Sequence, residues 1–467
     1  MTLIQSISGI RGTLGGKPGE ALTPVDIVQL CSAFGMWLKG RNPDGPIAVV
    51  VGRDARTSGM MVSQLVLGTL QAIGLDVIDA GLATTPTVAM GVSFRKAAGG
   101  VVITASHNPK NWNALKFMNE KGEIVTANQG CEIQAFMAPE KLHFSPVDKI
   151  GNYQLDETLL EMHIEKILAL PAVDAEAIAA AGFTVAVDGV NSVGGIAMPL
   201  LLQFLGVKKI VEVFCEPDGL FPHNPEPLPE NLGELSQAVI QHNAHLGFAV
   251  DPDVDRLAII SEDGEFFGEE YTLVAASDHV LEQTPGPTVS NLSSTQALKE
   301  ITLKRGHQYF SSAVGEVNVV EVMKQCGAVI GGEGNGGVIY PPLHYGRDAL
   351  LGAALFLTSL AKSGISCTAL RKRFPEYYMS KNKVELPSDT DMQEILEKVA
   401  AKYHKQTVDR TDGIKVWFDR EWVHLRRSNT EPIIRIYAES DHQVKADNLA
   451  EKIKVDIREF LKGDPVD

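Results

Sequence analysis

The chain has 467 residues, of which 44% are hydrophobic and 21% are charged, and it carries a formal net charge of -16. This length exceeds what a single hydrophobic core usually holds, so we expect three or four domains, while the charged fraction is too low for a disordered chain. The acidic balance excludes sequence-independent binding to nucleic acid, because such binding needs a basic surface.

Cysteine usage and apolar runs indicate the compartment. The five cysteines are odd in number and far apart in the chain, which argues against a disulfide framework and against a CxxC zinc site. No run of about 18 uncharged apolar residues occurs, and the first residues lack the basic start of a signal peptide. We therefore expect a cytoplasmic protein with no membrane partner.

A pattern of apolar strand, polar loop and helix recurs along most of the chain. The apolar strands end in polar residues and lie at 48–54, 184–192 and 288–294. Gly74, Gly206 and Gly306 stand where the following helices should end, because glycine favours helix C-caps. Thr23 and Pro24 are typical of the start of an earlier helix. Unbroken apolar strands are typical of sheets that helices cover on both faces.

After about residue 380 the pattern changes to a helix, three short strands and a last helix, which indicates a smaller α+β domain. The sequence thus predicts three similar α/β domains with mixed, mostly parallel sheets, followed by a smaller C-terminal α+β domain, around a central cleft. We place the four domains at residues 1–150, 151–255, 256–378 and 379–467.

The stretch GGVVITASHNPKNWNALK at 99–116 ends an apolar strand abruptly in polar residues. It can be a plain turn, since Asn-Pro favours turns. It can also present Ser106 as a nucleophile at the carboxyl end of a buried strand, with His107 and Lys116 to move protons or neutralise charge. The sequence argues against a serine hydrolase, because the chain has no GxSxG elbow.

The stretch GFAVDPDVDRLAII at 247–260 carries three alternating carboxylates directly after an apolar strand. Asp251, Asp253 and Asp255 offer hard oxygen ligands for a divalent cation, and Arg256 beside them suits a phosphate oxygen. An EF-hand is excluded, because Arg256 stands where its turn requires glycine. The alternative is an acidic surface turn.

Two further loops offer hydrogen-bonding groups. In VIGGEGNGGVIYPP, from residue 329, the GxGxxG pattern precedes residues that cannot begin a helix, which excludes a dinucleotide site. Glu333 and Asn335 there suit sugar hydroxyls, unless the loop is a plain glycine turn.

The stretch HLRRSNTEPIIRIYAE, from residue 424, combines arginine, hydroxyl and amide side chains, which favour a phosphate site over a polar hairpin. The candidate residues are Arg426, Ser428, Asn429, Thr430 and, on a strand face, Arg435.

In this order the four loops resemble those of the α-D-phosphohexomutase family, which includes phosphoglucomutase/phosphomannomutase and phosphoglucosamine mutase. The resemblance spans nearly the whole chain and includes SGIRGT at 8–13, GRDARTSG at 52–59, PEPLPENL at 225–232 and VGEVNV at 314–319. Four such loops in register are far more specific than any one of them.

The resemblance implies a role for each candidate residue. Ser106 is the residue that carries the phosphoryl group, Lys116 is a general acid/base, His107 flanks them, and Arg11 matches a family active-site arginine. The implied Mg²⁺ ligands are Ser106, Asp251, Asp253 and Asp255. The implied substrate-binding residues are Arg256, Glu333, Asn335, Arg426, Ser428, Asn429, Thr430 and Arg435.

The implied reaction interconverts hexose 6-phosphate and hexose 1-phosphate through a phosphoserine enzyme and a 1,6-bisphosphate that reorients in the site. Hexose 1,6-bisphosphate is the implied activator of the phosphoserine form. A phosphosugar is then the only small-molecule partner expected, and the chain is expected to be a monomer or homodimer. We expect glucosamine phosphate as the substrate, with mannose or glucose phosphate as the alternative.

The chain departs from the family pattern at three places. The sugar loop reads GEGNGG instead of GEMSGH or GEQSGH, so that Asn335 replaces serine and Gly337 replaces histidine. Pro252 and Ala114 each stand where glycine is usual. Two other functions stay open, a magnesium-dependent phosphatase in which water attacks the phosphoserine and a sugar-phosphate binding protein that has lost catalysis.

Overall fold

A computed structural model describes residues 2–6, 9–42, 47–387, 390–427 and 433–462. The chain forms two compact units, each built from two separate segments. The first unit comprises Met1–Gln283 and Asn335–Arg371, and the second comprises Thr284–Gly334 and Lys372–Asp467.

The strands of the described residues fall into several sheets. They are β1 Leu3–Ser6, β2 Gly9–Thr13, β3 Ala48–Arg53, β4 Asp76–Leu82, β5 Gly99–Ile103, β6 Trp112–Met118, β7 Tyr153–Leu155, β8 Thr184–Asp188, β9 Lys209–Val213, β10 Leu246–Val250, β11 Leu257–Ser261, β12 Thr288–Asn291, β13 Tyr309–Ser312, β14 Ile330–Glu333, β15 Gly337–Ile339, β16 Tyr378–Glu385, β17 Thr407–Asp409, β18 Ile414–Trp417, β19 Trp422–Arg427 and β20 Ile433–Ser440.

Helices alternate with these strands along most of the chain. They are α1 Pro24–Arg41, α2 Gly59–Ile73, α3 Thr85–Arg95, α4 Ala127–Gln134, α5 Leu159–Leu168, α6 Ala175–Ala181, α7 Gly194–Phe204, α8 Gly233–Gln241, α9 Tyr271–Gln283, α10 Gln296–Lys304, α11 Glu316–Cys326, α12 Ala349–Ser363, α13 Cys367–Arg371, α14 Met392–Lys402 and α15 Gln443–Lys462. None of the helices in the described ranges is long and apolar enough to cross a membrane.

The first sheet of the first unit has seven strands in the order β1-β2-β6-β5-β3-β4-β7. Strands β5, β3, β4 and β7 run parallel, whereas β6, β2 and β1 pair antiparallel at the other end. Thr23 precedes α1, Pro24 begins it, and the Asp26 carboxylate accepts the Thr23 N–H at 3.0 Å, which forms a capping box. Apolar cores lie on both faces of the sheet, as the unbroken apolar strands predict.

The second sheet of the first unit has the order β11-β10-β8-β9. Strand β8 runs parallel to β9 and β10, and β10 turns back antiparallel into β11. Both β10 and β11 are fully buried along their length. The six residues that connect these two strands form the loop that carries the three aspartates. A buried hairpin therefore holds this loop at a fixed strand end.

The second unit contains a parallel group and an antiparallel sheet. Strand β12 runs parallel to both β13 and β14, and α10 and α11 alternate with these strands. The C-terminal sheet is antiparallel in the order β16-β20-β19-β18-β17, and its core includes residues of α14 and α15. The predicted fold class of three α/β domains and a smaller C-terminal α+β domain is confirmed, while the exact domain boundaries stay predictions.

Candidate active site

Ser106 follows the buried strand β5 and adopts an unusual backbone conformation. Its φ is 49°, in the left-handed region that non-glycine residues rarely adopt. Its Oγ donates a hydrogen bond of 2.6 Å to Asp251 Oδ2 and lies 3.3 Å from His107 Nδ1. The surrounding structure must hold this conformation, because it costs about 1–3 kcal/mol by itself.

Arg56 holds the Ser106 loop in place. Its side chain is buried, and an arginine has five N–H donors. Each of these donors meets an acceptor, namely the carbonyls of Ser106 at 2.5 Å, Asn108 at 2.6 Å, Pro109 at 2.7 Å and Trp112 at 3.1 Å and the Asp54 carboxylate at 3.0 Å. One guanidinium therefore fixes the backbone of the whole loop.

Asp54 and Thr104 extend this support. The Thr104 hydroxyl donates to Asp54 Oδ2 at 2.7 Å and accepts the Ser106 N–H at 2.9 Å. Burial raises the pKa of Asp54, although Arg56 and Thr104 both favour its charged form. The Ser106 backbone is thus bound on both its N–H and its C=O, as a strained turn requires.

The aspartate loop closes on itself. Asp251 Oδ1 accepts the backbone N–H groups of Asp255 and Arg256, each at 3.1 Å, and Val254 has a left-handed φ of 62°. Ser192 Oγ donates to the Pro252 carbonyl at 2.7 Å and accepts the N–H of the residue before Arg56 at 3.3 Å. Ser192 therefore links the aspartate loop to the segment that supports Ser106.

The three aspartates form a buried cluster that fits a divalent cation. One carboxylate oxygen from each lies within 4.8 Å of the others. Asp253 Oδ1 and Asp255 Oδ1 are buried and have no hydrogen-bond partner among the described residues. Burial, together with the charges of Asp255 and Asp253, holds the pKa of Asp251 well above its usual range. A bound Mg²⁺ would offset the repulsion among these carboxylates and would take as ligands the two oxygens that lack hydrogen bonds.

Lys116 contacts the same cluster from strand β6. Its Nζ lies 2.6 Å from Asp253 Oδ2 and 3.5 Å from Asp255 Oδ2. Burial disfavours the ammonium, but these two carboxylates outweigh it and raise the pKa of Lys116 to about 12. The side chain is therefore protonated near neutral pH, which suits a proton donor or a fixed positive charge.

Thr85 and Arg347 also contact the aspartates. Thr85 Oγ1, at the start of α3, donates to Asp253 Oδ2 at 2.5 Å. Arg347 Nη2 donates to Asp255 Oδ2 at 2.7 Å. Because both groups bind the Oδ2 atoms, the Oδ1 atoms of these two aspartates are left to other ligands.

A second group of charges surrounds His107. Arg256 Nη1 donates to Glu226 Oε1 at 3.2 Å, and the same oxygen lies 3.9 Å from His107 Nε2. Burial and the charges of Arg256 and Arg11 hold the pKa of His107 well below its usual range, so its imidazole is neutral. Arg11, on β2, lies opposite Ala114 in the register and thus shares a sheet face with Lys116.

The two sugar-loop candidates belong to different compact units, because the chain passes from the second unit to the first between them. Glu333 ends β14 in the second unit, where its Oε1 accepts Asn291 Nδ2 at 2.8 Å and the Gly315 N–H at 3.0 Å. Asn335 begins the second segment of the first unit, and its Oδ1 accepts the Gly337 N–H at 3.3 Å. A joint role of Glu333 and Asn335 in binding sugar hydroxyls stays a prediction.

The predicted phosphate site is described only in part. Arg426 on β19 and Arg435 on β20 lie directly opposite each other in the sheet of the second unit, with Lys383 opposite Arg435 on the next strand. Arg426 Nε lies 3.7 Å from Asp412 Oδ2. This row of three basic residues shares one sheet face. Ser428, Asn429 and Thr430 lie outside the described residues.

A buried group of His163, His344 and Asp348 lies elsewhere in the first unit. Asp348 Oδ2 lies 2.9 Å from His163 Nε2 and 3.1 Å from His344 Nε2, while its Oδ1 accepts two N–H groups at the start of α12. Burial favours the neutral acid, but His163 and His344 outweigh it and hold the pKa of Asp348 well below its usual range. The carboxylate is a fully bonded helix cap, so the group needs no metal ion.

Several supporting residues of this site, among them Arg56, Glu226, Arg347 and Thr85, were not predicted from the sequence. Arg56 and Glu226 lie in the GRDARTSG and PEPLPENL motifs, which match the family pattern without indicating which side chain matters. Arg347 lies ten residues after Gly337 and beyond the glycine-loop motif. Thr85 carries no local signal beyond its place at a helix start.

Four consecutive parts of the chain match domains of one known family. Residues 3–143 match "Phosphoglucomutase/phosphomannomutase, alpha/beta/alpha domain I", and residues 161–264 and 268–378 match its alpha/beta/alpha domains II and III. Residues 383–454 match its C-terminal domain. The chain belongs to the phosphoglucomutase/phosphomannomutase family.

Individual family members are similar over nearly their full length. A phosphoglucomutase/phosphomannomutase from Thermococcus kodakarensis is 36% identical over 97% of this chain and 99% of that protein. A phosphoglucosamine/phosphogalactosamine mutase from Sulfurisphaera tokodaii is 32% identical over 96% of this chain and 97% of that protein. An X-ray structure of a phosphoglucomutase/phosphomannomutase family protein from Burkholderia thailandensis matches with a TM-score of 0.83 at 26% identity, covering 98% of this chain and 96% of that one.

These similarities confirm the predicted family and the predicted class of enzyme, a phosphohexomutase and thus an intramolecular phosphotransferase. They leave other expectations untested. The cytoplasmic location, the monomer or homodimer and the activation by hexose 1,6-bisphosphate stay predictions. The roles of the individual site residues are taken up as proposals below.

Proposed function

We propose that this phosphohexomutase interconverts glucosamine 6-phosphate and glucosamine 1-phosphate through a phosphorylated Ser106 and a 1,6-bisphosphate intermediate. The observation that carries the proposal is the 2.6 Å hydrogen bond from Ser106 Oγ to Asp251 in a buried three-aspartate cluster. A nucleophilic hydroxyl beside a cation site is what phosphoryl transfer requires, because that reaction depends on positioning and on charge.

The charged residues around Ser106 would divide the work. Lys116 is protonated near pH 7 and can donate a proton to the departing oxygen or neutralise the transferring group. Arg256 and Arg11, whose charges act on His107, supply fixed positive charge beside the serine. Neutral His107, 3.3 Å from Ser106 Oγ, can accept the serine proton when Ser106 regains the phosphoryl group.

Asp251, Asp253 and Asp255 would hold Mg²⁺, with Ser106 as a fourth oxygen donor. The unpartnered Oδ1 atoms of Asp253 and Asp255 support this ligand set. A bound Mg²⁺ supplies Lewis-acid charge that stabilises the transferring phosphoryl group. The aspartates themselves position Ser106, because its hydroxyl is hydrogen-bonded to one of them before any transfer occurs.

The reaction also needs a second anion site for the phosphate that is not being transferred. Arg426 and Arg435, opposite each other on one sheet face, support this role together with the predicted loop residues Ser428, Asn429 and Thr430. A site that binds either phosphate of the bisphosphate lets the sugar react first at one end and then at the other. Hexose 1,6-bisphosphate would accordingly regenerate phosphorylated Ser106.

The choice of sugar rests on the sugar loop and on the relatives. The unusual GEGNGG loop favours glucosamine phosphate, and the relative from Sulfurisphaera tokodaii is named for phosphoglucosamine and phosphogalactosamine. The relative from Thermococcus kodakarensis, named phosphoglucomutase/phosphomannomutase, favours mannose or glucose phosphate as a second candidate. The two candidates share every step of the mechanism and differ only at C2 of the sugar.

The test compares glucosamine, glucose and mannose 6-phosphates side by side with Mg²⁺ and catalytic bisphosphate. We expect the largest kcat/KM for glucosamine 6-phosphate, and a predominance of mannose turnover would contradict the choice of sugar. Ser106→Ala should lose turnover by about 1,000-fold or more, because it removes the nucleophile. Ser32→Ala is the matched control and should keep full turnover, because Ser32 is a buried serine of α1 whose Oγ has no hydrogen-bond partner in the part of the chain that the structure describes.

The same assay separates the mutase from a phosphatase. A mutase retains the phosphoryl group on serine or sugar, so free phosphate should stay at background while hexose 1-phosphate accumulates. Stoichiometric release of free phosphate without bisphosphate stimulation would contradict the mutase proposal and support the phosphatase. Binding of sugar phosphate without any turnover would support the binding protein.

A further inference from the structure

Arg347 and Gly337 lie against each other in the first unit. A Cβ atom added at Gly337 would lie 2.3 Å from Arg347 Cδ and 2.9 Å from its Cγ. Real Cβ atoms do not approach carbon atoms so closely, so any side chain at position 337 would displace the Arg347 stem. Gly337 is also the position where the sugar loop lacks the family's histidine, and the arginine stem occupies the space beside it.

The arginine uses this space to reach the aspartate loop. Its Nη2 donates to Asp255 Oδ2 at 2.7 Å, and the Arg347 side chain is only 10% exposed. Lys116 Nζ lies 3.5 Å from the same Oδ2 atom. Both cations therefore act on one oxygen of the Asp255 carboxylate.

The other oxygen of that carboxylate has no hydrogen bond among the described residues, and Arg256 Nε lies 3.9 Å from it. Asp255 Oδ1 is buried and accepts no hydrogen bond among the described residues. A carboxylate bound on one oxygen cannot rotate freely, so its second oxygen keeps a fixed direction within the three-aspartate cluster. Outer partners of this kind orient metal ligands and tune their affinity for the ion.

Capping of the neighbouring helix does not explain Arg347. Helix α12 begins at Ala349, and Asp348 caps it by accepting the N–H groups of Leu350 and Leu351. The Ala349 N–H donates to the Val254 carbonyl at 3.2 Å, so a backbone hydrogen bond also ties this helix to the aspartate loop. The cap of α12 is thus made by Asp348 and not by the Arg347 side chain.

We propose that Arg347 is a positioning residue for the metal ligand Asp255, and that position 337 is glycine because the Arg347 stem needs the space. The proposal rests on the proposed function only in taking Asp255 as a metal ligand. It adds a specific consequence, namely that the sugar loop and the metal loop are coupled through one side chain. A change at Gly337, outside the aspartate cluster, should then weaken metal binding.

The experiment measures Mn²⁺ binding to the full chain by the loss of the free-ion EPR signal, without substrate. Arg347→Ala and Gly337→Ala should each raise the Mn²⁺ Kd by about 10-fold or more, the range typical of lost outer partners of a metal ligand. The double variant should bind like Arg347→Ala alone, because the alanine at 337 has no arginine left to displace. Arg371→Ala removes an arginine that stacks on Tyr271 and should leave the Kd unchanged.

Two results would overturn the proposal. One is an Arg347→Ala protein that binds Mn²⁺ as the wild type does, and the other is a Gly337→Ala effect that adds fully to that of Arg347→Ala. If Arg347→Ala does not fold by circular dichroism, Gly337→Ala and Arg347→Lys carry the test, and Lys should raise the Kd less than Ala does. A wild type that binds Mn²⁺ in this pattern but shows no mutase turnover would refute the proposed function and keep this inference.

Discussion

Replacing Arg56 by methionine removes all five N–H donors that bind the Ser106 loop and Asp54. Methionine keeps an unbranched apolar stem in place of the arginine methylene groups, so the change mainly tests the loss of the guanidinium. The structure predicts that the loop loses its fixed conformation, because Ser106 has a left-handed φ of 49° that local preferences oppose.

The size of the effect follows from the buried ion pair. Arg56 and Asp54 both have fully buried side chains, and breaking such a pair by removing one partner costs about 3–5 kcal/mol. Asp54 can relieve part of this cost by taking up a proton, since burial already raises its pKa. We therefore expect a cost near the lower end of this range. A cost of about 3 kcal/mol makes the equilibrium constant for opening of the Ser106 loop about 100-fold larger.

Amide hydrogen exchange reads this opening directly. In Arg56→Met, amides of residues 104–112 should exchange about 100-fold faster than in the wild type, while strand β10 stays protected. The kcat should fall together with the loop's protection, because Ser106 is then misplaced for transfer. Arg56→Lys should show exchange rates and a kcat between those of the wild type and of Arg56→Met, since a lysine has three donors for the five acceptors.

The control is Arg95→Met, which breaks the 2.6 Å pair of Arg95 Nε with Asp156 outside the loop. It should leave exchange at 104–112 and kcat unchanged. The reasoning is refuted if Arg56→Met retains wild-type exchange in the loop and wild-type kcat, or if Arg95→Met produces the same changes.

Thr85→Val removes a hydroxyl that binds the metal loop at 2.5 Å, so Mn²⁺ titration should give a Kd raised about 10-fold, and an unchanged Kd would contradict this role. Gly219→Ala places a Cβ 1.9 Å from the Ala55 carbonyl at a φ of +72° and should lower the melting temperature, whereas Gly68→Ala, in open space on α2, should raise it slightly. Asp348→Asn should lower the melting temperature at pH 7. Because its histidine partners depress the Asp348 pKa, the carboxylate stabilises the fold above about pH 4, and this stabilisation is lost as the pH falls further. The difference in melting temperature between Asp348→Asn and the wild type should therefore narrow only below about pH 4.

Strand ends and chemistry-bearing loops could be predicted from the sequence, because they depend on local patterns. The strand before Ser106 and the strand before Asp251 are unbroken apolar runs, and both end where the polar residues begin. Ser106 and Asp251 are 145 positions apart in the chain. No sequence periodicity predicts their contact, which was expected only through the family resemblance. The same holds for Lys116 and the aspartates.

The supporting residues could not be predicted, because their roles depend on packing between distant segments. Arg56 binds carbonyls about 50 residues further along the chain, and backbone acceptors leave no trace in the sequence. Gly337 reads as a turn glycine, although the structure shows that the side chain of Arg347 crosses it. Nor does a serine indicate a left-handed φ, which Ser106 adopts only because its neighbours hold it there.

The central claim is that Ser106 carries the phosphoryl group between the two ends of the sugar. Tandem mass spectrometry of the full chain, after incubation with Mg²⁺ and hexose 1,6-bisphosphate, tests it most directly. The account predicts one phosphate located on Ser106, which is retained on the serine or on the sugar when hexose 6-phosphate is added and is absent from Ser106→Ala. A phosphate on any other residue, or full turnover with Ser106 unmodified throughout, would contradict it.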